Sequence, residues 1–125
     1  MKTMYLIAVL GLFVASCSAP EYGPKDILGS KWSEKGVFNG KPFEFVAFFR
    51  TDGSFEGIVD GKPFVSGSYE LLGDTVFFSD PICNVDYKGS YKLLFKRDSL
   101  TFSLIADTCT ARREGTDNIG FVRIN

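Results

Sequence analysis

From Trp32 onward, apolar and polar residues alternate with a period of two, which is typical of β-strands with one buried face. In residues 90–96, Tyr91, Leu93 and Phe95 fall on one side and Lys92 falls on the other. Segments of this kind predict eight strands, at residues 30–38, 42–50, 54–59, 63–72, 75–79, 88–96, 99–106 and 118–124. No segment has the period of a helix.

Turn signals separate these segments. Asp52-Gly53, Asp60-Gly61 and Gly73-Asp74 each predict a tight reversal, and residues 96–99 predict another. One turn-and-strand phrase occurs twice, as Asn39-Gly40-Lys41-Pro42-Phe43 and as Asp60-Gly61-Lys62-Pro63-Phe64. This repetition indicates repeated hairpin construction.

Eight short antiparallel strands would leave two unpaired edges in an open sheet, and closing the sheet removes both. We therefore predict an all-β fold, an eight-stranded antiparallel up-and-down barrel. A barrel of this size is just wide enough for a packed interior or for one small ligand. The alternative architecture is a sandwich of two sheets.

The start of the chain has a different composition. Residues 4–14 are mostly apolar but too few for the roughly 20 residues of a membrane-spanning helix, so they indicate a secretory signal. Val14-Ala15-Ser16-Cys17 resembles the bacterial lipobox. In lipoproteins with this motif the cysteine thiol is acylated and the signal peptide is cut just before the cysteine. The alternative is ordinary cleavage after Ala19, which would discard Cys17.

The lipobox interpretation divides the chain into three parts. Residues 1–16 are predicted to be a lipoprotein signal peptide, residues 17–26 the lipidated Cys17 with a flexible tether, and residues 27–125 one barrel domain. We expect anchoring in the outer membrane of a bacterial cell envelope, with the periplasmic or surface side left open. The membrane would be a partner only through the lipid.

With Cys17 assigned to lipid, Cys83 and Cys109 remain as a single possible pair. An exported chain lies where a disulfide can persist, so we predict this bond. The alternative is two buried free thiols.

Phenylalanine is unusually frequent, at 13 of 125 residues. An interior lined by such rings would suit a small hydrophobic ligand, although the rings could equally fill a solid core. The candidate ligand-binding residues are Phe45, Phe49, Phe55, Tyr69, Tyr91, Phe95 and Phe102, and Phe43 and Phe77 are expected to face the same interior.

Charge and composition count against several functions. The formal net charge is −1 with both signs scattered, so we expect no nucleic-acid partner. The chain contains no histidine, the commonest general base and metal ligand, and we expect no metal, no cofactor and no enzymatic activity.

Some acidic residues remain of interest. Asp107 is expected to be satisfied by nearby arginine and to shape the turn around Cys109. Four glutamates lie in or beside predicted strands, and any that point inward would be candidates for ligand contact: Glu34, Glu44, Glu56 and Glu70.

Several segments together resemble the small bacterial lipocalin-like lipoproteins of the calycin group. The first, Ile27-Leu28-Gly29-Ser30-Lys31-Trp32, is similar to the family's opening Leu-x-Gly-x-Trp, with one extra residue between Gly and Trp. The others are the strand and turn at 48–54, Cys83, Gly89-Ser90-Tyr91, the 107–112 segment Asp-Thr-Cys-Thr-Ala-Arg, and Gly120-Phe121-Val122-Arg123. The resemblance implies a lipocalin-like barrel whose closed end is formed by Trp32 beneath Arg123.

Two functions follow as hypotheses. The first is a lipid-anchored envelope lipoprotein that binds a small hydrophobic ligand in the barrel. The second is a protein-interaction or inhibitor lipoprotein with a solid core, which would bind an envelope protein through loops at residues 80–89 and 108–118.

Overall fold

The computed structural model describes Gly11 and residues 21–125. The predicted lipidation site Cys17, and the predicted signal peptide apart from Gly11, lie outside the described residues.

Eight antiparallel strands form a closed barrel in which each strand pairs with its neighbours in sequence and β1 pairs with β8. The strands are β1 Lys31–Phe38, β2 Lys41–Phe49, β3 Ser54–Val59, β4 Lys62–Leu72, β5 Thr75–Ser79, β6 Gly89–Lys96, β7 Ser99–Ala106 and β8 Gly120–Arg123. The prediction of an all-β, eight-stranded up-and-down barrel is confirmed, and the two-sheet sandwich is wrong.

The described residues also contain two short helices, although no helix was expected. A 3₁₀-helix spans Pro24–Ile27, and α1 spans Thr110–Thr116 between β7 and β8. Helix α1 gives no helical period in the sequence because Arg112 is its only buried residue. Within the described part of the chain, neither helix has the length and apolar character needed to cross a membrane.

The repeated turn phrase builds the same hairpin twice. Asn39 and Gly40 have φ angles of 50° and 74°, and Asp60 and Gly61 have 49° and 78°. Two successive positive φ angles define the type I′ turn, whose twist matches that of antiparallel strands. Glycine at the second position adopts this conformation without the steric cost of a Cβ.

The antiparallel order places connections alternately at the two ends of the barrel. We call the end with the β2–β3, β4–β5 and β6–β7 turns and the segment at 22–30 the closed end. The other end, with the two type I′ turns, the β5–β6 loop at 80–88 and the segment at 107–119, is the open end.

Trp32, Tyr22 and Arg123 pack together at the closed end. Trp32 and Arg123 are opposite each other in the β1–β8 pairing. The guanidinium carbon of Arg123 lies 4.3 Å from the centre of the Tyr22 ring and 5.9 Å from that of Trp32. The indole N–H of fully buried Trp32 donates a 2.6 Å hydrogen bond to the hydroxyl of Ser30. Tyr22 therefore packs on the barrel, although it belongs to the segment at 17–26 that was expected to be a flexible tether.

The core is mainly aromatic. Its largest buried side chains include Trp32, Tyr91 and Phe49. In β5, Val76 and Phe78 are buried, so the expectation that Phe77 faces the interior is wrong. Because Val76-Phe77-Phe78 is apolar throughout, the period-two pattern did not determine which side of this strand faces inward.

Candidate ligand site

A cavity of about 300 Å³ lies in the barrel toward its open end. Four of the seven candidate aromatic residues line it, namely Phe45, Phe49, Phe55 and Phe102, together with residues that were not candidates, such as Phe78 and Phe121. The wall is largely apolar. Such a space can hold a hydrophobic molecule.

The other three candidates lie elsewhere in the core. Tyr69 donates its hydroxyl to the carbonyl oxygen of Arg50, at 2.5 Å. Tyr91 donates to Asp107, also at 2.5 Å. Phe95 packs edge-on against Trp32 toward the closed end, with ring centres 6.1 Å apart. The structure therefore does not place these three rings in the cavity wall.

Two very small residues that are neighbours on adjacent strands line the cavity. Ala47 of β2 is opposite Gly57 of β3, and both line the cavity. Gly57 is in turn opposite Val65 of β4. A Cβ atom at Gly57 would come within 2.7 Å of the Phe45 ring and of the Val65 side chain, so glycine here lets these two cavity-lining side chains pack against the strand.

The cavity reaches the surface at the open end. Phe64 and Ile82 line it and are 65% and 39% exposed, respectively. Ala111 and Gly115 of α1 line it as well and are exposed. The β5–β6 loop, α1 and the start of β4 therefore surround its mouth.

A disulfide joins two of these surrounding segments. Cys83 of the β5–β6 loop is bonded to Cys109, the residue immediately before α1, with the Cα atoms 5.8 Å apart. The predicted pair is confirmed, and the alternative of free thiols is wrong.

Buried Arg112 forms a second link between the same segments. Its Nε and Nη2 donate to the two carboxylate oxygens of Asp107, at 2.7 and 2.9 Å, and its Nη1 donates to Asp80 at 3.2 Å. Its Nη2 also donates to the carbonyl oxygen of Tyr87, at 2.8 Å. The expectation that Asp107 is satisfied by arginine is therefore confirmed, and the sequence had given no indication of Asp80 as a second partner.

Hydrogen bonds determine the ionisation of this cluster. Burial acts to raise the pKa of Asp107, but hydrogen bonds from Arg112, Tyr91 and the Cys109 N–H outweigh it, and the pKa is below its usual value. The pKa of Arg112 is raised, chiefly by its hydrogen bond to Asp107. Burial, followed by the hydrogen bond to Asp107, raises the pKa of Tyr91. Asp107 and Arg112 are therefore charged and Tyr91 is neutral near pH 7.

Close packing of the backbone is part of this cluster. A Cβ atom added to Gly89 would collide with the carboxylate of Asp107 and come within 2.9 Å of Arg112 Nε. Glycine at the start of β6 is what allows the Arg112–Asp107 pair to lie against the strand.

The four glutamates noted in the sequence have different environments. Glu44 accepts a hydrogen bond from Ser33, Glu56 pairs with Arg50, and Glu70 pairs with Lys88. Glu34 lies two residues from Trp32 and so on the inward side of β1, where burial raises its pKa. Glu34 is not among the residues that line the cavity.

No family model, no curated protein and no solved structure matches this chain. Among Gly11 and residues 21–125, no group of three or more potential ligand side chains could hold a metal ion. The chemistry of the site therefore rests on the cavity and on the charged cluster at its edge.

Proposed function

We propose that this protein is a lipid-anchored lipoprotein of the bacterial envelope whose lipocalin-like barrel binds a small hydrophobic ligand. The observation that carries the proposal is the aromatic cavity, together with its mouth at the open end. A solid core, which the alternative hypothesis requires, would have no such space.

The size of the cavity limits the ligand. An apolar cavity of about 150 Å³ in a protein interior stays dry and binds benzene. A cavity of about 300 Å³ therefore suits a molecule about twice as large, such as a single ring with a short chain. It lies at the lower end of the volumes of ligand pockets, which favours a compact ligand over a lipid with two acyl chains.

The lipobox-like segment ending at Cys17 supports the membrane anchor. Cys17 precedes Tyr22 by five residues, and five residues of extended chain reach at most about 18 Å. Since Tyr22 packs at the closed end, a lipid on Cys17 would hold that end near the bilayer. The cavity mouth would then face away from the membrane that carries the anchor.

Calorimetric titration of the purified protein with butylbenzene tests ligand binding. We expect saturable binding that Ala47→Leu weakens by at least about tenfold, because the larger side chain enters the cavity. Ala106→Leu is the matched control, since Ala106 is exposed on β7. Absence of binding to the unaltered protein, or equal binding by both variants, would contradict the proposal.

Labelling with a fatty-acid analogue in a bacterial host tests the anchor. We expect incorporation into the protein and its loss in Cys17→Ser, with mass spectrometry showing a mature chain that begins at an acylated Cys17. A mature chain beginning at Pro20, after cleavage following Ala19, would show ordinary secretion instead.

A second candidate function is protein binding at the open end. It is favoured by exposed apolar side chains on the β5–β6 loop, namely Ile82, Val85 and Tyr87. Cross-linking in the native envelope, comparing the unaltered chain with Val85→Asp, would test it. A specific cross-linked protein that disappears in the variant, while butylbenzene binding persists, would support this function.

A further inference from the structure

The cavity has one charged corner in its otherwise mostly apolar wall. Asp80 and Arg112 are the only charged residues among those that line it within the described part of the chain. Their side chains are 2% and 4% exposed, so each presents only a small part of its surface to the cavity and to solvent together. Any polar part of a bound ligand would have this pair as its charged neighbours.

The two acidic residues of the cluster differ in how fully they are hydrogen-bonded. Each oxygen of Asp107 accepts two hydrogen bonds. Oδ2 accepts from Arg112 Nε and the Tyr91 hydroxyl, and Oδ1 accepts from Arg112 Nη2 and the Cys109 N–H. Each oxygen of Asp80 accepts one hydrogen bond: Oδ2 accepts from Arg112 Nη1, and Oδ1 accepts from the Ile82 N–H. Because a carboxylate oxygen can accept two, Asp80 retains acceptor capacity that Asp107 has used.

Arg112 retains donor capacity at Nη1, the nitrogen that contacts Asp80. Its Nε and Nη2 hydrogens are used by Asp107 and Tyr87, whereas Nη1 makes one hydrogen bond, to Asp80. A guanidinium Nη carries two hydrogens, so one Nη1 hydrogen has no hydrogen-bond partner among the described residues. A free donor and free acceptor sites therefore occur together at the Asp80–Arg112 contact.

The charges of the cluster are balanced. Asp80 and Asp107 face the guanidinium of Arg112, and Arg113 donates to the backbone carbonyl of Asp107 at 3.3 Å. Two carboxylates and two guanidinium groups leave no net charge for an ionic ligand to neutralise. An ion placed in the aromatic cavity would lose its hydration without gaining an opposite charge.

We propose that the cavity selects small apolar molecules carrying one neutral group that both donates and accepts hydrogen bonds, such as a primary amide. The apolar part occupies the aromatic chamber, and the neutral group lies against the Asp80–Arg112 pair. The amide N–H donates to Asp80, and the amide oxygen accepts from Arg112 Nη1. This inference rests on the proposed ligand-binding function.

Four matched probes with the same phenylbutyl body test the selection: 4-phenylbutanamide, 4-phenylbutanoate, 4-phenylbutylamine and butylbenzene. We expect the amide to bind at least as tightly as butylbenzene, and at least about tenfold more tightly than either ion, because only the neutral group is matched by the cluster.

The outcomes of this series separate the two proposals. Tighter binding of butylbenzene than of the amide would overturn the polar selection and leave the ligand-binding function intact. Tightest binding of the carboxylate or of the ammonium ion would do the same. No binding of any probe would overturn both.

Asp80→Asn tests the role of the charged corner in nearly the same shape. Loss of one negative charge leaves the cluster positive, so we expect the ratio of carboxylate to amide affinity to rise by at least about tenfold. Asp86→Asn, in the same loop but exposed, is the control and should leave the ratio unchanged. An unchanged ratio in Asp80→Asn would overturn the inference.

A spectroscopic readout on the unaltered protein covers the case in which Asp80→Asn does not fold. The side-chain N–H resonances of Arg112 should shift on addition of 4-phenylbutanamide more than on addition of butylbenzene, since only the amide reaches Nη1. Equal shifts with the two probes would overturn the inference.

Discussion

The guanidinium of Arg112 joins carboxylates from two separate segments, Asp80 at the start of the β5–β6 loop and Asp107 after β7. It is buried, and removing one partner of a buried ion pair leaves the other charge uncompensated. We expect Arg112→Met to lower the free energy of unfolding by about 3–5 kcal/mol in urea denaturation.

Arg113→Met is the matched control for this change. Its guanidinium is only partly buried and donates to the Asp107 carbonyl at 3.3 Å. We expect it to cost less than about 1 kcal/mol. Equal effects of the two substitutions would show that the buried cluster contributes little to stability.

Asp107 makes the stability depend on acid pH. Its pKa in the folded protein is lowered, against an unfolded value of about 3.9. Its contribution is therefore complete above about pH 4 and is lost as the pH falls below 4 through the lowered folded value.

Denaturation between pH 7 and pH 2 measures this dependence. We expect Asp107→Asn to flatten the acid limb of the stability profile, while Asp98→Asn, exposed in the β6–β7 turn, leaves it unchanged. An unaltered acid limb in Asp107→Asn would contradict the assigned ionisation.

At the level of elements, the strands and turns could be predicted because their signals are local. Period-two alternation marks β6 and β7, and Asn39-Gly40 and Asp60-Gly61 form turns that require two positive φ angles. Helix α1 could not be predicted in this way. Its seven residues are held by buried Arg112 and the adjacent disulfide and have no apolar stripe.

The disulfide fixes the start of α1 to the β5–β6 loop. It joins residues separated by 26 positions, and a loop of that size restricts the unfolded chain by about 3.5 kcal/mol on the chain-entropy estimate. We expect the double variant Cys83→Ser/Cys109→Ser to lose stability of this size in urea denaturation. A loss below about 1 kcal/mol would show that the other contacts at the open end stabilise the fold without the disulfide.

At the level of the whole molecule, the barrel could be predicted but the cavity could not. Aromatic content indicated an apolar interior, and Phe45, Phe49, Phe55 and Phe102 do line the space. The space itself is enclosed by side chains from separate strands, such as Ala47 of β2, Phe102 of β7 and Phe121 of β8, and how they meet is not visible in any one strand alone. The ion pair between Asp80 and Arg112 could not be predicted for the same reason, because the two residues are 32 positions apart in the sequence.

The central claim is that a small apolar molecule enters this cavity, and proton NMR on the protein with bound butylbenzene tests it most directly. We expect nuclear Overhauser contacts from the ligand to the rings of Phe45 and Phe102, and none to the indole of Trp32 at the closed end. Contacts confined to exposed side chains such as Leu94 or Val122, or no contacts at all, would contradict the account.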